Sequence, residues 1–97
     1  MMKVRQTAEF AGWLRRLKDA EAAARIVARI RRMELGNPGN VRSVGKGVVE
    51  IRIACGPGYR VYYVQHGAAI VILLCAGDKR TQRHDVRRAQ QLAEEIQ

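Results

Sequence analysis

The sequence predicts an α+β domain in the order β-α-α-β-β-β-β-α. It consists of a twisted, mainly antiparallel sheet with an N-terminal helical hairpin and a C-terminal helix. Three observations predict it. Apolar residues recur at helical spacing between Phe10 and Met33, the period switches to two between Val41 and Ala76, and helical spacing returns after Thr81. A chain of 97 residues is read as one domain, 1–97. At that size roughly 60–65% of the unfolded surface is buried, enough for a modest core without metal or disulfides.

Each element has a local cause. Lys3–Gln6 is a short extended start. Thr7 can cap a helix, with Glu9 in its first turn; Phe10, Trp13, Leu14 and Leu17 then form one face. Asp19 can cap a second helix, whose apolar face is Ala23, Ile26, Val27, Ile30 and Met33. The stretch "GNPGN" (36–40) ends it, because glycine suits the left-handed C-terminal position and proline cannot continue the ladder. Four strands are expected at 41–44, 48–55, 59–65 and 68–76, each followed or preceded by a glycine-containing turn. The last is apolar on both faces, as in a strand covered on both sides. From Thr81, Val86, Ala89, Ala93 and Ile96 repeat at helical spacing, and the helices are expected mainly on one face of the sheet.

Composition narrows the function. Net charge is +9, from 18 Lys+Arg against 9 Asp+Glu, and the charge is spread through folded segments, not gathered in a tail. That balance favours an anionic partner such as nucleic acid or an acidic protein segment. The longest apolar run, Ala68 to Ala76, is too short to span a bilayer, and Met1-Met2-Lys3 leads into no signal-peptide core. A cytoplasmic protein with no membrane partner is expected. Cys55 and Cys75 form no CxxC and read as small apolar strand residues; no metal and no cofactor is expected.

The stretch "CGPGYRVYYV" (55–64) places Arg60 among tyrosines and valines. If Gly56-Pro57-Gly58 is a three-residue loop, Cys55 faces Tyr59, Ile53 faces Val61 and Ile51 faces Tyr63. One face is then wholly apolar, with Tyr63 in the core. The other, read as open, carries Glu50, Arg52, Arg60 and Tyr62, with Tyr62 opposite Arg52. Two guanidinium groups there suit a phosphate, and an aromatic ring can stack on a base. The alternative is a solvated face with Arg60 paired to Glu50.

Four stretches carry a resemblance. They are "WL..LKD" (13–19), "RI..RI.R...GN.GN" (25–40), "E.RI..GPGYRVYY" (50–63) and "LLC.GDK.TQ..D...A" (73–89). Together they resemble the RelE/ParE superfamily of type II toxin–antitoxin toxins, in particular the HigB-like addiction module killer group. The resemblance implies a growth-inhibiting toxin that cuts mRNA on the ribosome. It also implies a cognate helix-turn-helix, HigA-like antitoxin, and operator DNA contacted only through the antitoxin complex. A ParE-type inhibitor of DNA gyrase, acting without catalysis, is the alternative on the same scaffold, and a toxin that has lost activity is a third.

The resemblance also implies site residues. Arg60 matches the arginine of the family's GYR strand, Arg52 a frequently basic sheet position, and Lys79 the basic residue of GDK. These would stabilise the phosphorane charge. Some members place an acid/base tyrosine near the C-terminus; none occurs here after Tyr63, so His84 is the expected proton-transfer group. Arg25, Arg29 and Arg32, at i, i+4 and i+7, are expected to contact ribosomal RNA, with Tyr62, Arg80 and Gln82 completing the RNA-binding set. Arg60→Ala is expected to change stability by no more than about 1 kcal/mol, as for a residue outside a core.

Overall fold

The computed structural model describes residues 1–96. The elements follow the expected order: β1 (Lys3–Gln6), α1 (Ala8–Arg16), α2 (Ala20–Glu34), β2 (Val41–Ser43), β3 (Val48–Ile53), β4 (Tyr59–His66), β5 (Ile70–Gly77) and α3 (Gln82–Ile96). A 3-10 turn (Lys79–Thr81) precedes α3. The expected caps form: the Thr7 hydroxyl accepts from the Phe10 amide at 3.1 Å and Asp19 accepts from the Ala22 amide at 3.0 Å. At the end of α2 the Asn37 amide donates to the Arg32 carbonyl and the Gly36 amide to Met33, both at 2.9 Å, which closes the helix where the GNPGN stretch begins. Asp78, one turn earlier than the expected Thr81, starts the final helical segment by accepting from the Arg80 amide at 2.8 Å.

The five strands lie in the order β1-β5-β4-β3-β2. Only β1 is parallel to its neighbour, β5; the other ladders are antiparallel. The sheet is covered on both faces, not mainly on one. Against α1 and α2 lie Ile51, Ile53, Val61, Tyr63, Val71 and Leu73, with Phe10, Ile26 and Met33 from the helices. Against α3 lie Val48, Tyr62, Leu74 and Cys75, with Ala89, Leu92 and Ala93. A bulge serves both cores. Tyr62 pairs with Cys75 but Tyr63 with Leu73, so Leu74 is one residue more than β4 can match. Leu74 and Cys75 therefore both face α3.

The central hairpin departs from the expected register by two residues. Ile53, not Cys55, pairs with Tyr59, and Ile51 pairs with Val61. The cause is the turn: the Cys55 amide turns back to the Ile53 carbonyl at 2.9 Å, so the ladder stops there. The Gly58 amide then closes a tight turn on Cys55, with Gly56 at φ 55° and Gly58 at φ 82°. A shift of two preserves which side chains share a face but changes who faces whom. Arg52 sits opposite Arg60, and Tyr62 opposite Glu50.

Across the molecule, Arg88 of α3 grips both carboxylate oxygens of Glu9 of α1, at 2.7–3.1 Å. That hydrogen bonding holds the Glu9 carboxyl below its ordinary value, against a smaller opposing push from burial. A carboxyl depressed by folding stabilises the fold above its unfolded value and loses the contribution as pH falls through the folded one. Chemical denaturation from pH 7 to pH 3 is therefore expected to show Glu9→Gln less stable than the parent near neutrality. The gap should narrow below about pH 4.5. A gap independent of pH would refute the linkage.

Candidate functional site

Period-two geometry arranges the polar side chains of the α3-facing surface in rows across the strands. One row runs Arg42–Glu50–Tyr62–Cys75; the next runs Arg52–Arg60–Gly77. Two arginines in direct opposition would repel, and Glu50, two residues before Arg52, offsets them. Glu50 has no exposed surface. Its Oε2 accepts from the Tyr62 hydroxyl at 3.1 Å and from Gln82 Nε2 at 2.9 Å. Arg60 Nε stands 3.8 Å from the same oxygen, and Arg42 Nη2 stands 3.5 Å from Oε1. Each hydrogen bond to a charged group contributes roughly 1.5–3 kcal/mol, which offsets the several kcal/mol that burying a carboxylate costs.

Gly77 completes the row because a side chain there would collide with α3. A Cβ on Gly77 would fall inside the Asp85 carboxylate and 2.8 Å from the Thr81 hydroxyl. The Asp85 carboxylate accepts from that hydroxyl, so the start of α3 is pressed onto the sheet beside Arg60.

Two clefts meet at this point. One of about 230 Å³ is lined by Asn40, Arg52, Ile53, Ala54, Gly58, Tyr59 and Arg60. The other, about 380 Å³, shares Asn40, Arg52, Ile53 and Ala54 and adds Arg25, Ala28, Arg29 and Arg32 from α2. The sheet arginines and the helix arginines thus line one continuous basic groove.

The expected site residues fare differently. Arg52 is exposed in the groove, whereas Arg60 is only 6% exposed and paired with Glu50. Lys79 is exposed; a Cβ added at Gly58 would lie 3.9 Å from its Cβ and 3.6 Å from Arg60 Nη1, so the turn brings the two cations towards one another. Arg80 is exposed and bound to Asp78 at 3.0 Å. Arg25 and Arg32 are exposed, Arg25 standing 3.6 Å from Glu21.

One expectation is corrected, and three further residues have surroundings the sequence did not indicate. Tyr62 is not a stacking platform: it is fully buried, and burial together with Glu50 pushes its hydroxyl far above the ordinary value. Gln82 is half-buried and engaged with Glu50. Arg29 donates to the backbone carbonyls of Arg52, Pro38 and Asn40 at 2.9–3.2 Å, which fixes the loop before β2 to α2. His84 lines neither basic cleft; its side chain is 82% exposed, with Asp85 and the Glu9–Arg88 pair as its charged neighbours. The Cys75 thiol, which burial pushes up to about 12, is an inert core group.

Sequence reasoning missed Arg42. Period-two alternation on Val41–Ser43 puts it on the Glu50 face, a signal present in the residues but dependent on knowing the strand pairing. With Arg83 and Arg87 of α3 it lines a separate cleft of about 510 Å³ floored by Val44 and Val86.

Residues 12–95 match the family described as Phage derived protein Gp49-like. The chain belongs to that family. Gp49-like proteins are addiction-module toxin-like. An uncharacterized protein of Haemophilus influenzae is 45% identical over 95 residues, spanning 98% of this chain and 96% of the relative. Among the described residues no cluster of His, Cys, Asp and Glu could hold a metal ion, and no helix is long and apolar enough to cross a membrane.

Burial changes the expected cost of losing Arg60. Its removal leaves Glu50 buried with one guanidinium fewer, a loss of about 3–5 kcal/mol for buried pairs. Two neutral donors and Arg42 remain, so the low end applies. Arg60→Ala should lose about 3 kcal/mol by urea denaturation, whereas a loss under about 1 kcal/mol would match a solvated side chain.

Proposed function

We propose that this Gp49-like protein is the toxin of a type II toxin–antitoxin system of the RelE/ParE kind, and that it cleaves mRNA on the ribosome. The observation that carries the reading is the continuous groove in which Arg52 and Arg60 from the sheet join Arg25 and Arg32 from α2. A polyanion fits such a groove. Helix arginines would neutralise backbone phosphates and contribute salt-sensitive affinity. Arg52, Arg60 and Lys79 would meet the scissile phosphate.

The chemistry needs a 2′-oxygen to attack phosphorus as the bond to the 5′-oxygen breaks, giving a cyclic phosphate and a free 5′-hydroxyl. The dianionic transition state is what the cations oppose; one well-aimed donor contributes roughly 10²–10³ in rate. The 2′-hydroxyl proton leaves and another reaches the 5′-oxygen. Neither Tyr62, which is buried, nor His84 lines the cleft. Electrostatic stabilisation by the chain and alignment by the ribosome would supply most of the acceleration. A cognate HigA-like antitoxin would cover the groove with acidic side chains, at an association rate that falls with salt.

The cleft's lack of a group that titrates near neutrality also favours a second reading, a ParE-type inhibitor of DNA gyrase that needs no proton transfer. Brief expression followed by 5′-end mapping of transcripts separates them. Cuts within translated frames are expected; intact mRNA with a DNA-damage response would favour gyrase. Arg52→Ala and Lys79→Ala, at exposed positions, should change stability by about 0.5 kcal/mol or less yet slow single-turnover cleavage on programmed ribosomes by roughly 10²-fold each. Wild-type rates in both would remove this groove from the reaction.

A further inference from the structure

Glu50 is a charged side chain with no exposed surface, set in the sheet directly beside the arginine row, and neither RNA contact nor proton transfer gives it a task. Its geometry towards Arg60 is specific. Arg60 Nη1 donates to the Gly58 carbonyl at 3.0 Å, and Nε faces Glu50 Oε2 at 3.8 Å, within electrostatic reach but beyond a hydrogen bond. The remaining nitrogen, Nη2, has no partner among the described residues and is not fully buried. Arginine–carboxylate pairs are frequently bidentate, with two parallel N–H to oxygen bonds; this one is not. Here the carboxylate holds the guanidinium by its inner edge and leaves an outer nitrogen for a ligand. Glu50 is itself fixed by Tyr62, its cross-strand partner, and by Gln82 at the start of α3.

We infer that Glu50 is the positioning residue for Arg60, fixing the guanidinium so that Nη2 is presented to an anionic oxygen in the cleft. The inference rests on the reading that this cleft takes the scissile phosphate. It has a consequence that a purely structural carboxylate lacks. Glu50 offsets the charge of Arg60 and Arg42 in the ground state while setting the direction of the donor, so removing its charge should bind RNA no less tightly and cleave more slowly.

The test is Glu50→Gln, which keeps an oxygen for Tyr62 and Gln82 and removes the charge. With intact protein on programmed ribosomes, the maximal single-turnover rate should fall at least tenfold. The half-saturating ribosome concentration should stay the same or fall. On an Arg60→Lys background, which has lost the guanidinium Glu50 orients, adding Glu50→Gln should change the rate less than twofold, because the two residues act as one unit. A Glu50→Gln rate within twofold of the parent, alongside an impaired Arg60→Lys, would overturn the positioning role and leave the nuclease reading intact. An impaired rate accompanied by an equally weakened half-saturation would also overturn it. Full cleavage in Arg60→Lys and Arg52→Ala together would instead remove the groove from the reaction, and an absence of cleavage by the parent protein would overturn the nuclease reading itself. Should Glu50→Gln fail to fold, Tyr62→Phe carries the same test by removing one donor from Glu50. A several-fold slower rate with unchanged half-saturation is expected, and a parental rate overturns the role.

Discussion

A carboxylate without exposed surface has to be offset from inside the fold, and Glu50 draws on four residues from three elements to achieve this. Tyr62 comes from β4, Gln82 from α3, Arg42 from β2, and Arg60 from β4 as well as lining the cleft. The demand therefore fixes the lateral order of three strands and the seat of a helix at once. Displacing β2, or lifting the N-terminus of α3, would strand a charge in a low-dielectric interior, where the cost is several kcal/mol. Gly77 and Asp85 reinforce the same seat sterically, since only glycine admits the aspartate where the helix meets the sheet. The polar centre and the apolar cores thus specify one arrangement together.

Much of this could be read from residues in order. Thr7 and Asp19 sit where they cap helices, the GNPGN stretch closes α2, and alternation from Val48 onwards sorts two faces correctly. Face assignment survived even the error in register, because parity is unchanged by a shift of two. What alternation does not encode is turn geometry. The Cys55 amide folding back on Ile53 lengthens the loop, and that one hydrogen bond decides that Arg52 faces Arg60 and Tyr62 faces Glu50. The covering of the second face was also hidden. Glu50, Arg52 and Arg60 in alternation look like a solvated surface, and only the packing of α3 makes Glu50 and Arg60 interior. A helical period similarly shows that Arg29 lies off the apolar stripe but not that three carbonyls wait for it.

The groove owes its continuity to that same arginine. By holding the carbonyls of Pro38 and Asn40 on one side and of Arg52 on the other, Arg29 closes the gap between α2 and the end of β3. Its guanidinium loses hydration there, and burial, with Arg32 adding repulsion, lowers its affinity for its proton. Arg25 and Arg32 keep their water and remain available to a ligand. A row that looks uniform in sequence is therefore divided between architecture and recognition.

The two margins of the sheet carry a consequence for how copies of this chain behave together. β1 and β2 are four and three residues long, the first bearing Lys3 and Arg5 and the second Arg42. Short, cationic borders offer few amides to a neighbouring strand and repel an identical one. At a net charge of +9 the repulsion extends over the whole surface. Lateral growth into ribbons is blocked at both margins. Concentrated protein should accordingly stay dispersed at low ionic strength and crowd together only as added salt or a polyanion screens the charge.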